Sequence, residues 1–69
     1  MYKIYDAIIE GYEDINPCDY ARGIVWCEME YVMQDTLPYY HRYIDTIEGV
    51  DIYYDYGADY YFFVEKVTA

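Results

Sequence analysis

Apolar positions in the first part of the chain recur at intervals of three and four. Met1, Ile4, Tyr5, Ile8 and Tyr12 fall on one side of a helical projection, while Asp6, Glu10 and Glu13 fall together on the other. That spacing predicts an amphipathic helix from residue 2 to about residue 13. A strand is the competing reading, because Tyr and Ile favour sheets. Strict alternation fails, however: Ile8 and Ile9 are adjacent, and Asp6 shares parity with Ile4 and Ile8.

A second helix is predicted to start at Asn16. This residue can cap it, Pro17 suits the first helical position, and Asp19 lies near the positive end of the helix dipole. Cys18, Ala21, Val25, Met29 and Val32 form its apolar stripe, and Gly23 within it costs about 1 kcal/mol relative to Ala. A third helix is predicted after Thr36, with Leu37, Tyr40, Ile44 and Ile47 as its stripe and Gly49 as its left-handed terminator.

The pattern changes in the last third. VDIYYDY and DYYFFVEKV are aromatic and β-branched runs with Gly57 between them, which predicts a β-hairpin. A three-residue loop would sort its faces. Val50, Ile52, Tyr54, Tyr60, Phe62 and Val64 would share the core face; Asp51, Tyr53, Asp55, Asp59, Tyr61, Phe63 and Glu65 would share the other. A two-residue loop would mix them. The fold class expected is α+β: a small single domain over residues 1–69, with about three helices followed by a C-terminal antiparallel hairpin.

Composition supports folding. The charge is high, but 57% of residues are hydrophobic and 23% aromatic, unlike the composition of disordered chains. Charge then narrows the choice of partner. Fourteen acidic residues against four basic ones give a net charge of −10, which repels free nucleic acid and anionic membranes and attracts a basic protein surface.

The segment MYKIYDAIIEG carries charge early and has no long apolar core, so no signal peptide is expected. Cys18 and Cys27, nine residues apart on one helix, would be separated by roughly 13 Å along its axis. That excludes a disulfide and points to reduced thiols in a cytoplasm.

Catalytic and cofactor chemistry finds little support. Serine is absent, and a Cys-His nucleophile would need Cys18 or Cys27 to meet His41, the sole histidine. Those three residues have no metal-site spacing, and no phosphate-cradling glycine loop or calcium loop is present. No enzyme activity, metal or cofactor is expected.

What remains is the pattern of acidic and tyrosine residues. On the first predicted helix, Asp6, Glu10 and Glu13 would stand roughly 5–6 Å from their neighbours. On the hairpin, Asp51, Asp55, Asp59 and Glu65 would line one face with Tyr53 and Tyr61. An ordered carboxylate array can take up the Lys and Arg side chains that normally hold phosphates. Its self-repulsion is easier to understand if it serves a partner; the plain alternative is a solvated acidic face. Tyr31, Tyr39, Tyr43, Tyr53, Tyr56 and Tyr61 are hard to hide in so small a domain, and exposed tyrosine faces accept Arg guanidinium groups. The candidate partner-binding residues are Asp6, Glu10, Glu13, Asp14, Glu30, Asp51, Tyr53, Asp55, Asp59, Tyr61 and Glu65.

In size, acidity and Asp/Tyr mixture, with segments such as VDIYYDYGADYY, the chain resembles the phage-encoded inhibitors that mimic DNA. These include several anti-CRISPR proteins, anti-restriction proteins and uracil-DNA glycosylase inhibitors. The resemblance implies a protein of the infected cell's cytoplasm that blocks a nucleic-acid-binding effector by occupying its basic channel, with an anti-CRISPR as first choice. The expected partner is a basic nucleic-acid-binding protein or complex, with no direct nucleic acid and no membrane, and the protein itself is monomeric or homodimeric. Two alternatives stay open: an antitoxin-like or regulatory subunit covering a basic protein, and a homo-oligomeric structural protein.

Overall fold

A computed structural model describes residues 1–11 and 16–67. In chain order it contains β1 (Tyr2–Glu10), α1 (Pro17–Arg22), a 3-10 turn (Trp26–Glu28), β2 (Tyr31–Gln34), β3 (His41–Ile47), β4 (Val50–Asp55) and β5 (Tyr60–Lys66). The strands form one sheet in the order β2-β1-β5-β4-β3, with every neighbouring pair antiparallel.

The expectation of three helices is therefore overturned: the described chain is mostly a five-stranded antiparallel sheet with one short helix and one 3-10 turn. Residues 2–10 of the first predicted helix are β1, and Tyr12 and Glu13 lie outside the described residues. This strand lies between β2 and β5 and contributes buried side chains to both faces of the sheet, Ile4 to one and Tyr5 and Ala7 to the other. A strand buried on both faces has no reason to alternate, so its consecutive apolar positions resemble a helical stripe. Moreover, the register of β1 against β5 shifts between Tyr5 and Ile9, the stretch where parity fails in the sequence. Such a bulge changes which residues share a face.

The second predicted helix starts as expected. The Asn16 side chain accepts a hydrogen bond from the Cys18 N–H at 2.9 Å, and Pro17 occupies the first turn. It ends at Gly23, only six residues on; of the rest of its predicted stripe, Val25 and Met29 flank the 3-10 turn and Val32 lies in β2. Cys18 and Cys27 are free thiols, but they do not share one helix.

The third predicted helix is β3. Gly49 is left-handed as expected, at φ 83°, but it does not end a helix. Glu48 is left-handed too, at φ 52°, and together they make the two-residue turn between the paired residues Ile47 and Val50. Positive φ at both central residues is the geometry whose twist matches a hairpin.

The C-terminal hairpin is present, with a different register. Asp55 pairs with Tyr60, Ile52 with Phe63 and Asp51 with Val64, so the loop is the four residues 56–59. An even loop mixes the two predicted faces. The sheet accordingly carries apolar groups on both sides. On one face Tyr5, Ala7, Val50, Ile52 and Phe63 are covered by Ala21 of α1 and by Trp26, whose ring lies 4.9 Å from that of Tyr5 and 5.4 Å from that of Phe63. On the other, Ile4, Tyr53, Phe62 and Val64 pack with Tyr2, Tyr60 and Leu37 from the β2–β3 connection. No helix among the described residues is long and apolar enough to cross a membrane.

Candidate partner-binding surface

The even loop dismantles the hairpin array expected from the sequence. Asp51, Tyr53 and Asp55 lie on the same face as Phe62 and Val64, whereas Tyr61 and Glu65 lie on the face of Phe63. Two of the candidates have structural work. Tyr53 is buried, stacked on Phe62 at 5.5 Å, and burial pushes its hydroxyl pKa up. Asp55 is only 7% exposed, and its carboxylate accepts the N–H groups of Gly57 at 3.0 Å and Ala58 at 3.1 Å. It thus caps the β4–β5 turn through two charge-assisted bonds.

Asp59 belongs to the same turn. It is left-handed, at φ 58°, and accepts the Tyr54 hydroxyl at 2.5 Å. That bond is the main reason the Tyr54 pKa is raised. Asp51 is half-buried and held by a relay: Thr46 donates to it at 2.7 Å, and Tyr43 in turn reaches the Thr46 oxygen at 2.6 Å. Thr46 has one proton to give, so Tyr43 is the donor in that second bond. Glu65 pairs with Lys3 at 3.5 Å, and Tyr61 is half-buried against Tyr54. Asp6, Glu10 and Glu30 are exposed on or beside β1 and β2. Glu13 and Asp14 lie outside the described residues.

Charge on this surface is almost entirely unbalanced. Among the described residues, only Asp19 and Glu65 have ion-pair partners, Arg22 and Lys3. Asp55 is the sole buried carboxylate there. Apart from half-buried Asp51, the remaining described carboxylates are exposed and form no ion pair.

Tyrosines cluster where β3 begins and the β4–β5 turn closes. Tyr39, 86% exposed, meets Tyr40 edge-on at 4.8 Å, and Tyr40 lies 5.4 Å from Tyr56. Tyr43, also exposed, makes a separate contact, edge-on to Tyr53 at 5.8 Å. Tyr40 rests on Gly57, where an added β-carbon would stand 2.7 Å from its ring. Exposure of Tyr31, Tyr39, Tyr43 and Tyr56 agrees with their reading as hard to hide; Tyr53 does not follow it, and Tyr61 follows it only in part. Tyr40 was missed as a surface residue because a helical stripe assigned it to the core. The signal was Pro38 followed by two adjacent tyrosines, which on an extended chain point to opposite sides.

Among the described residues, neither cysteine hydrogen-bonds to His41. The Cys18 thiol donates to Asp45 at 3.8 Å, and burial, reinforced by that carboxylate, raises its pKa, which keeps it protonated. His41 instead donates from Nδ1 to the Pro38 carbonyl at 2.6 Å. Among the described residues no group of three or more His, Cys, Asp or Glu could hold a metal ion. The chain matches no protein-family model, and no curated protein or solved structure matches it.

Proposed function

We propose that this protein is a non-enzymatic inhibitor that occupies a basic nucleic-acid-binding groove of an effector and so excludes the nucleic acid, with a CRISPR-Cas complex as the leading candidate. The observation that carries this reading is the exposed carboxylate surface without counter-cations, on a chain of net charge −10. Lys and Arg side chains that hold phosphates can exchange them for such carboxylates, releasing ions from both partners. The exposed cluster Tyr39, Tyr40 and Tyr56, and the separately placed Tyr43, add flat aromatic faces on which Arg guanidinium groups stack.

The test is competition. Effectors retained by the immobilised protein at low salt are assayed for nucleic-acid binding with increasing amounts of it. The expected result is a loss of nucleic-acid binding that itself weakens steeply as salt rises. An effector that binds this protein and keeps its nucleic-acid affinity unchanged overturns the reading.

A further inference from the structure

The sheet ends on two edges, β2 and β3, and only one of them is guarded. In an antiparallel ladder, residues alternate between turning their N–H and C=O toward the neighbouring strand and turning them away. Tyr56 donates to the Tyr40 carbonyl at 3.1 Å, which sets the phase of the β3–β4 ladder. With Asp45 paired to Ile52 and Thr46 to Asp51, the Thr46 N–H points outward from the sheet. It is already taken: the Asp45 carboxylate accepts it at 2.8 Å. A bulge between Tyr43 and Asp45 further breaks the outer rim of β3. Both devices discourage another strand from pairing there.

The β2 edge has neither. Asp6 donates to the Glu30 carbonyl at 3.1 Å, so Glu30, Val32 and Gln34 face β1, while Tyr31 and Met33 turn their N–H and C=O outward. No described residue hydrogen-bonds those outward groups. The strand contains no Pro, Lys or bulge. Its side chains Tyr31, Val32 and Met33 are 48%, 48% and 41% exposed, so apolar surface is present on both faces beside the open backbone. Exposed Glu30 and Asp35 flank it.

We propose that β2 is a docking edge for an extended, cationic strand of a partner protein. The partner's main chain pairs with Tyr31 and Met33, its apolar side chains cover Tyr31, Val32 and Met33, and its Lys or Arg residues at either end meet Glu30 and Asp35. This is strand addition to a sheet edge. Charge selects the occupant: a second copy would bring another chain of net charge −10, with its own Glu30 and Asp35, to the same seam. The inference does not depend on the groove reading, since the strand can come from any basic protein.

The probe is the peptide acetyl-Lys-Arg-Val-Thr-Val-Arg-Lys-amide, titrated at fixed ionic strength into the full chain. Amide exchange at Tyr31 and Met33 is expected to slow at least tenfold at saturation. Met33→Pro removes an outward N–H and leaves the bonds to β1 in place, so it should weaken peptide binding at least tenfold. The same peptide N-methylated on adjacent Val and Thr keeps its charge but pairs with neither edge, and it should bind the unaltered protein at least tenfold more weakly. The N-methyl comparison decides the matter if Met33→Pro does not fold. Equal binding of the two peptides, protection confined to other amides, or a dimer that protects Tyr31 and Met33 without peptide would each overturn the proposal.

Discussion

Gly11 lies directly against the Asp59 carboxylate: a β-carbon at position 11 would stand 2.9 Å from Asp59 Oδ1 and 3.0 Å from Tyr54 Cε1. The Gly11 N–H also donates to the Asp59 carbonyl at 3.1 Å. The far end of β1 is thereby fastened to the β4–β5 turn through a contact that has no room for a side chain. Gly11→Ala should push the Tyr54–Asp59 pair aside and cost about 1–3 kcal/mol, the usual range for overpacking. Urea unfolding with an unchanged m-value measures this. A loss below about 0.5 kcal/mol, within the range of ordinary surface substitutions, would mean the pair gives way freely.

Alkaline pH should destabilise the fold. The hydroxyl pKa of Tyr54 is raised chiefly by its bond to Asp59, and those of Tyr5, Tyr53 and Tyr60 chiefly by burial. Each folded value then exceeds the unfolded value of about 10. The folded state holds those protons more tightly, so their contribution is complete below pH about 10 and is lost as pH rises through the folded values. Urea midpoints taken between pH 8 and 11 should fall, and Tyr54→Phe should flatten part of that fall. A midpoint that holds steady or rises would contradict the assignment.

The two kinds of acidic residue should separate cleanly on mutation. Asp55→Ala takes from the exposed Gly57 and Ala58 N–H groups the buried carboxylate that accepts them and should cost about 1.5–3 kcal/mol, the scale of hydrogen bonds to a charged group. Glu10→Lys and Glu30→Lys change exposed carboxylates and should leave stability within about 0.5 kcal/mol or raise it slightly. In the proposed function those same reversals weaken effector binding. Thermal melts and effector-binding isotherms on one set of variants compare the two effects. Unchanged effector binding across the exposed reversals would reduce the acidity to a solvating role.

Tyr39→Ala and Tyr56→Ala should act on binding alone. Both side chains are exposed, so their removal should change stability by about 0.5 kcal/mol or less. Loss of a stacking face for Arg should weaken binding by about 0.5–2 kcal/mol each. Phe at either position should restore most of it, because the ring rather than the hydroxyl makes that contact. A hydroxyl-dependent effect would point to hydrogen bonding instead.

Several local features were legible in the residues. Asn16-Pro17 begins a helix where capping chemistry puts it, because a cap bond depends on neighbours two residues apart. Gly49 is left-handed, and the C-terminal runs pair as a hairpin. The helical spacing misled in residues 2–10 because apolar residues at consecutive positions satisfy a helical stripe and a strand buried on both faces equally well. The bulge in β1 then erased the period-two signal that would have told the two apart. In β3 the strand is exposed along nearly its whole length, so no buried face imposed an alternation that the sequence could show.

The candidate site was legible as chemistry and not as geometry. Glu10 and Glu30 stand exposed, but Asp55 and Tyr53 were indistinguishable in sequence from their exposed neighbours. One residue of loop length reversed the side of the sheet on which half of the hairpin candidates lie.

By itself the sequence determined the charge of this protein, its supply of tyrosine, its inability to form a serine nucleophile and its short-range turns and caps. Those properties reside in single residues or in neighbours along the chain. Which carboxylates cap the fold and which meet solvent, where the tyrosines gather, and which sheet edge stays open were decided only by tertiary structure. Each of these depends on the register between distant strands, and register is fixed by the packing of both faces at once.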